Sequence, residues 1–259
     1  MNGTSILLLI FTSLLLLLFI LTSSGSSSRW ASNDAFVVPP WPHPQQKGPS
    51  IYIIHPALEG VEFHALQDEL PALLPHAVSS RFLSLRQGSA IPITVLETYG
   101  SLFLRLYTSS ALQRALSSLT GCDLHPLPRR HLNACSLLVY NQEGDYIDYH
   151  YDTNYFRGRT FVALLTLSNR GTDAEGYSHQ KNCMFPTPQS EEDCIHTLPN
   201  QLIVFEGNKV RHRTLKMQSH EQRILFSMVF TEDATQSPLQ AWLSRLKDAS
   251  FFGGQALFQ

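Results

Sequence analysis

Residues 136–167 read SLLVYNQEGDYIDYHYDTNYFRGRTFVALLTL, and two apolar ends frame a polar, tyrosine-rich middle. Each end has the length and composition of a β-strand, and Gly144 marks a turn after the first. Two similar runs follow, QLIVF at 201–205 and ILFSMVF at 224–230, with Gly207 between them. Short strands separated by Gly, Asn and Pro predict an antiparallel sandwich or barrel.

Helical spacing dominates the region before these strands, apart from a strand-like SIYII at 50–54. Leucines recur at intervals of three and four residues at 66, 70, 73 and 74, and again at 112, 116 and 119. The second series begins after Ser109 and Ser110, which suit a helix cap, and ends at Gly121. Residues 170–199 are loop-like, and Leu239 to Leu246 has the pattern of a helix that covers an edge of the sheet. We therefore predict a mainly β fold with flanking helices (α+β), with a helical preface at 51–131 and a core at 132–259 that includes a C-terminal helix.

The N-terminus has a different character. Sixteen uncharged residues from Ile6 to Leu21 are interrupted only by Thr12 and Ser13. This run is at the short end for a transmembrane helix and slightly long for the apolar part of a signal peptide, so residues 1–28 are a signal peptide or a signal anchor. Both alternatives predict that the protein enters the secretory pathway and is located in the membrane or the lumen of the endoplasmic reticulum. Residues 29–50, rich in Ser, Pro and Gln, indicate a linker or stalk.

Composition and cysteine content exclude some classes of function. A hydrophobic fraction of 43% indicates a globular domain, and a net charge of −2 argues against nucleic acid as a partner. The cysteines lack the close pairs of a zinc finger. In an oxidising compartment, Cys183–Cys194 and Cys122–Cys135 are possible disulfides, and the alternative is four reduced, partly buried thiols.

The tyrosine-rich middle contains the pattern His150-x-Asp152. Residues two apart on an extended backbone point to the same side, so this imidazole and carboxylate can reach one point. His212 follows an apolar strand and a glycine turn, at the start of another strand. Two imidazoles and one carboxylate are the facial triad typical of non-haem iron(II), which leaves coordination positions open for other ligands. We predict that His150, Asp152 and His212 hold the metal.

Arg223 lies eleven residues beyond His212, at the head of the last predicted strand. A dicarboxylate that chelates the metal at one end places its second carboxylate several ångströms away. A buried guanidinium can bind that carboxylate with paired, charge-assisted hydrogen bonds. The alternative for Arg223 is an ordinary cation at the end of a strand. The alternative for His212 is a surface histidine.

With these residues in place, the segment from about Leu132 to Phe230 resembles the catalytic core of the 2-oxoglutarate and iron(II)-dependent oxygenases, in particular the prolyl 4-hydroxylase-like branch. The resemblance implies a double-stranded β-helix (jelly-roll) core with a helical N-terminal preface. It also implies that Tyr140 faces the cosubstrate and that Thr166 contacts its far carboxylate. The branch commonly has Gly-x-Arg or Gly-x-Lys at the anchor, whereas His220-Glu-Gln precedes Arg223 here.

The activity implied by the resemblance is that of a dioxygenase with Fe(II), 2-oxoglutarate and dioxygen as cofactors and ascorbate as reductant. Hydroxylation of a protein side chain is the first hypothesis. The alternatives are a small-molecule or lipid hydroxylase, a non-catalytic jelly-roll binding module and a zinc hydrolase. The expected partners are an unidentified protein or small-molecule substrate and, if the N-terminal segment is not cleaved, a membrane.

Overall fold

A computed structural model describes residues 36–82 and 84–252 of the chain. In those ranges the helices are α1 Gly60–Leu73, α2 Ile93–Tyr99, α3 Ser101–Tyr107, α4 Ser110–Thr120 and α5 Pro238–Phe252, with a 3-10 turn at Leu74–His76. The strands there are β1 Gln45–Gln46, β2 Ile51–Ile54, β3 Val78–Phe82, β4 Arg86–Pro92, β5 His125–Pro126, β6 Cys135–Tyr140, β7 Tyr146–His150, β8 Thr160–Arg170, β9 Asn182–Met184, β10 Asp193–Ile195, β11 Leu202–Glu206, β12 His212–Thr214 and β13 Gln222–Thr231.

The strands form one curled antiparallel sheet with two halves. The larger half has the order β1-β2-β11-β8-β13-β6, and the smaller half has the order β7-β12-β9-β10. Strand β4 joins them, because its residues 89–92 pair with β6 and its residues 86–87 pair with β7. Both halves contribute side chains to the wall of a single cavity, so the sheet curls around that cavity.

The main hydrophobic core lies between the larger half and the helices. Alternate residues of β8, from Phe161 to Leu167, pack in this core, whereas Thr160, Val162 and Leu164 line the cavity. Both faces of β8 are therefore buried, which explains why its sequence is a continuous apolar run. Helix α3 contributes Phe103, whose ring lies edge-on to Phe226 of β13 at 5.0 Å between centroids.

The structure confirms the strands predicted from the four apolar runs, as well as a C-terminal helix. Helix α4 also has the predicted ends: Ser109 accepts a hydrogen bond from the Leu112 amide, and Gly121 has a φ of 68°. The segment 51–131 contains four helices, yet it also supplies the strands β2, β3, β4 and β5. The loop-like segment 170–199 contains β9 and β10, which are too short for a clear sequence signal.

The N-terminal signal or anchor at 1–28 lies outside the described residues. In the segment 29–50, the structure describes residues 36–50, where Phe36 is buried in the main core and β1 pairs with β2. None of the helices within residues 36–82 and 84–252 is long and apolar enough to cross a membrane.

The cysteines divide into one bonded and one unbonded pair. Cys183 and Cys194 face each other across β9 and β10 and form a disulfide. Cys122 and Cys135 are buried free thiols, so the second possible disulfide does not form. The Cys122 thiol instead accepts a hydrogen bond from Arg159 at 2.9 Å.

Candidate metal centre

Three side chains from two neighbouring strands meet at the edge of the cavity. His150 ends β7 and His212 begins β12, and the two residues are paired across these strands. Asp152 follows β7, with its carboxylate 3.6 Å from His150 Nε2 and 3.9 Å from His212 Nε2. One ligand atom of each residue lies within 4.8 Å of the other two. The structure thus brings together the three residues that the sequence singled out.

Backbone carbonyls fix the orientation of both imidazoles. His150 Nδ1 donates to the Asp148 carbonyl at 2.8 Å, and His212 Nδ1 donates to the Val210 carbonyl at 2.9 Å. With the proton held on Nδ1, each Nε2 carries the lone pair that a metal needs. The side chain of Asp148 is itself exposed and does not belong to the group of three ligands.

The position of Asp152 depends on its close approach to Gly207, in the turn after β11. The Asp152 amide donates to the Gly207 carbonyl at 3.0 Å. A Cβ on residue 207 would lie only 2.4 Å from Asp152 Oδ2 and 2.8 Å from Asp152 Cβ. Glycine is therefore required at 207 for the carboxylate to reach its place beside the histidines.

The electrostatics favour the metal-binding protonation states of Asp152 and His212, whereas at His150 burial lowers the pKa and the neighbouring Asp152 raises it above its usual value. Burial alone would raise the pKa of Asp152, but the hydrogen bond to His150 and the charge of His212 hold this pKa well below its usual value. Burial lowers the pKa of His212, with the Asp152 charge acting in the opposite direction. At neutral pH, Asp152 is therefore ionised and His212 is neutral.

The cavity beside the three ligands has a volume of about 630 Å³. Its mouth is largely apolar, with Tyr151 and Leu85 exposed and with Leu243 and Leu246 contributed by α5. Its inner end is polar and is lined by four buried residues: Tyr140, Asn182, Thr214 and Arg86. The cavity can therefore hold a polar molecule next to the ligands and a second, partly apolar group near the mouth.

Arg223 is fully buried, and it is paired with Tyr140, whose side chain lines the cavity. Leu225, Ser227 and Val229 of the same strand line the cavity, and alternation along β13 puts Arg223 on that face. Its Nη1 donates to Gln180 Oε1 at 3.3 Å, whereas its Nε and Nη2 are buried with no hydrogen-bond partner. Burial lowers the pKa of Arg223 to about 10, and the guanidinium stays charged. Unpaired buried donors on a cation are costly, so this position suits an anionic ligand.

The other two residues predicted to face a cosubstrate lie near Arg223. Tyr140 of β6 is paired with Arg223 of β13, and its side chain is buried. Thr166 of β8 is paired with Leu225, and its hydroxyl is buried with no hydrogen-bond partner. The structure therefore places Tyr140, Arg223 and Thr166 on the neighbouring strands β6, β13 and β8, and of the three Tyr140 lines the cavity.

Three residues of the site had no clear signal in the sequence. Arg86 lies on β4, is buried and lines the cavity. Gln180 holds Arg223 while its own amide donates to the Asp145 carbonyl at 3.1 Å. The third is Gly207, whose role depends on contact with a residue 55 positions earlier in the chain. In hindsight only Arg86 had a local signal, because β4 alternates between buried and partly buried residues.

No family model and no curated protein matches the chain. Solved structures with the same fold include a prolyl 4-hydroxylase from Phytophthora capsici (18% identity, 82% of this chain and 77% of that chain, TM-score 0.52). Another is the non-heme alpha-ketoglutarate-dependent epimerase SnoN of nogalamycin biosynthesis (14% identity, 70% and 77% covered, TM-score 0.56). A third is a 2OG-Fe(II) oxygenase family protein from Burkholderia pseudomallei (15% identity, 73% and 87% covered, TM-score 0.51). The chain therefore has the jelly-roll fold of the 2-oxoglutarate and iron(II)-dependent oxygenases.

Proposed function

We propose that this protein is an iron(II)- and 2-oxoglutarate-dependent dioxygenase. The observation that carries the proposal is one cavity with two features. Three ligand atoms of His150, Asp152 and His212 converge within 4.8 Å on its wall, and next to the cavity-lining Tyr140 the buried guanidinium of Arg223 has two unpaired donors. A metal-chelating dicarboxylate would satisfy both.

The donor set fits iron(II). Two neutral imidazoles and one carboxylate, with no thiolate among them, are the ligands of non-haem iron(II) oxygenases. Bound iron would supply the activation of dioxygen. In the overall reaction, a substrate C–H bond becomes C–OH, while 2-oxoglutarate and the second oxygen atom become succinate and carbon dioxide.

The chain's own residues bind and orient the reactants. Arg223 receives the far carboxylate of 2-oxoglutarate with charge-assisted hydrogen bonds. Thr166 on the neighbouring strand β8 has an unpaired buried hydroxyl, and Tyr140 lines the cavity next to Arg223. At the mouth, Leu243 and Leu246 reduce the access of water to the reacting centre.

We further propose that the substrate is a side chain of another protein. The mouth supports this proposal because Tyr151 is 49% exposed and Leu85 is 46% exposed, so an extended chain can approach the metal ligands from solvent. The similarity to a prolyl 4-hydroxylase points the same way. The similarity to SnoN, an epimerase of nogalamycin biosynthesis, favours a small-molecule substrate as the alternative.

The secretory pathway remains our proposal for the location of the protein. The disulfide between Cys183 and Cys194 supports it, since disulfides persist in oxidising compartments. Microscopy of the full chain with a C-terminal tag would test it, and a diffuse cytosolic signal would contradict it.

Succinate formation tests the proposed chemistry. The full chain should convert 2-oxoglutarate to succinate with iron(II), ascorbate and dioxygen, slowly without the substrate. Asp152→Ala should abolish this turnover, whereas Arg223→Gln should raise the KM for 2-oxoglutarate. Asp68→Ala, which alters an exposed carboxylate on α1, is the matched control and should behave like the wild type. Equal succinate formation by Asp152→Ala and the wild type would refute the proposed site.

A further inference from the structure

The C-terminal helix α5 turns large apolar side chains towards solvent. Residues 239, 242, 243 and 246 recur at the spacing of one helix face. Their exposed fractions are 65% for Leu239, 48% for Trp242 and 39% each for Leu243 and Leu246. Ser244, which points to the other side of the helix, is only 4% exposed. These four side chains are called the apolar face of α5 below.

The helix is attached to the domain by its polar side. It lies against β3, with Ser244 buried. The charge of Arg245 lowers the pKa of the buried His131, so this side of the helix is close to the domain interior. A helix on the surface of a domain usually buries its apolar face instead. The apolar face of α5 is therefore not used to hold the helix in place, and an exposed apolar patch of this kind marks a binding surface.

The apolar face of α5 is continuous with the cavity beside the metal ligands. Leu243 and Leu246 belong to the wall of that cavity. Leu239 is seven residues before Leu246, which corresponds to about 10 Å along a helix. The apolar surface thus extends from the cavity wall along the outside of α5, and a molecule that enters by this mouth contacts both parts.

The size and the surroundings of the patch select its occupant. Each partner of a stable dimer contributes about 20–30 residues, so four side chains are too few for a second copy of the chain. A bilayer would have to cover the exposed carboxylate of Asp148, which lines the same cavity, and charged groups are expensive in hydrocarbon. Because the face leads to the metal ligands, the molecule that fits it is the substrate.

We propose that the apolar face of α5 binds a segment of the protein substrate that has large apolar side chains close to the residue that reacts. The inference rests on the proposed function and deepens it, because it states how the substrate is recognised. Alternate side chains of an extended segment point to the same side and are about 7 Å apart. The length of the face therefore suits two apolar side chains, two positions apart, while the reacting side chain enters the cavity.

Selection from a random library of short peptides displayed on phage tests this surface without knowledge of the natural substrate. The target is the full chain loaded with Mn(II) and 2-oxoglutarate in the absence of dioxygen, so that no turnover occurs. The selected peptides should contain two large apolar residues at positions two apart. Selection of acidic, basic or small polar residues instead would overturn the proposal, and helical spacing of the apolar residues would overturn the extended segment.

Affinities of one selected peptide, measured by fluorescence anisotropy, then locate its binding surface. Combined Leu239→Ser and Trp242→Ser replacement should weaken binding by about 10- to 100-fold, as the loss of central apolar contacts does in other interfaces. The same variant should bind Mn(II) within about twofold of the wild type, which shows that the metal centre is intact. Val61→Ser, which replaces an apolar side chain of α1 that is 82% exposed, is the matched control and should bind the peptide normally.

The remaining outcomes overturn the proposal. Equal peptide affinity in the double variant and the wild type excludes the apolar face of α5. A wild-type dimer in sedimentation that the double variant does not form would assign this face to a second copy. Cosedimentation of the wild type with phosphatidylcholine vesicles, lost in the double variant, would assign it to a membrane. Should the double variant fail to fold, Leu239→Lys alone takes its place with the same expected loss and the same contrary results.

Failure of the proposed function would look different. In that case the wild type forms no succinate from 2-oxoglutarate, whichever peptides it selects. Succinate formation by the wild type, together with peptide binding that is insensitive to the double replacement, defeats only the role of α5.

Discussion

Replacement of Gly207 by alanine tests whether the metal centre depends on one close contact. The new Cβ would lie 2.4 Å from Asp152 Oδ2, 2.8 Å from its Cβ and 3.0 Å from its Cγ, whereas ordinary contact begins at 3.4 Å. Rotation of the carboxylate can relieve the contact with the oxygen but not the contact with the Cβ. The backbone of Asp152 must therefore shift, against its hydrogen bond to the Gly207 carbonyl.

Ordinary contact requires the metal-binding Oδ2 of Asp152 to move by about 1 Å and its Cβ by about 0.6 Å, and a misplacement of about 1 Å at a reacting centre costs about 100-fold in rate. We expect succinate formation by Gly207→Ala to fall by about that factor, with metal affinity reduced about 10- to 100-fold. Gly60→Ala is the control, because a Cβ there meets nothing within 4 Å. Activity of Gly207→Ala within threefold of the wild type would refute the reasoning about Asp152.

Three further predictions concern stability and covalent state. Burial lowers the pKa of His131 from 6.5 to about 4, so its contribution to stability is present above pH 6.5 and lost as the pH falls towards 4. The free energy of unfolding should fall by at most about 3 kcal/mol over this pH range. Urea unfolding of His131→Leu should show no such fall. The same pH dependence in the variant and the wild type would contradict the role of His131. Alkylation in denaturant should label two cysteines without reductant and four with reductant, because only Cys183 and Cys194 form a disulfide. The intact mass of the protein reports the number of labels. Four labels without reductant would exclude the disulfide. Tyr107→Phe removes the hydroxyl that accepts a hydrogen bond from the Leu127 amide at 2.7 Å. Thermal unfolding should show that the variant is less stable by about 1–3 kcal/mol. An unchanged melting temperature would contradict this prediction.

The strands of the sheet could be predicted because their signal is local. The apolar runs at 136–140, 160–167, 201–205 and 224–230 carry strand composition and turn residues within a few positions. The proximity of His150 and Asp152 also follows from local geometry, since two residues of an extended segment share a side. The approach of His150 and Asp152 to His212 does not follow from local geometry, because it requires β7 and β12 to pair. The two strands do pair, and His150 lies opposite His212.

The role of β4 in joining the two halves of the sheet could not be predicted, because its partners β6 and β7 lie far away in the chain. Its sequence RQGSAIP has a weak alternation, and it pairs with residues of β6 and β7 that are 44 to 61 positions distant. Helical spacing on both sides favoured a helical preface instead. Local sequence also could not predict the role of Gly207 or which of the two possible disulfides forms, since each depends on a contact that only the folded chain creates.

The position of β2 and β4 within the sheet has a consequence for how the chain can be divided. A fragment that starts at residue 132 would keep the three metal-binding side chains but lose the neighbours of β11, β6 and β7. Those strands would then present rows of unpaired amides and carbonyls, which promote association between molecules. Truncation at residue 132 should thus yield aggregates, whereas cleavage before residue 36 leaves every described strand with its partner.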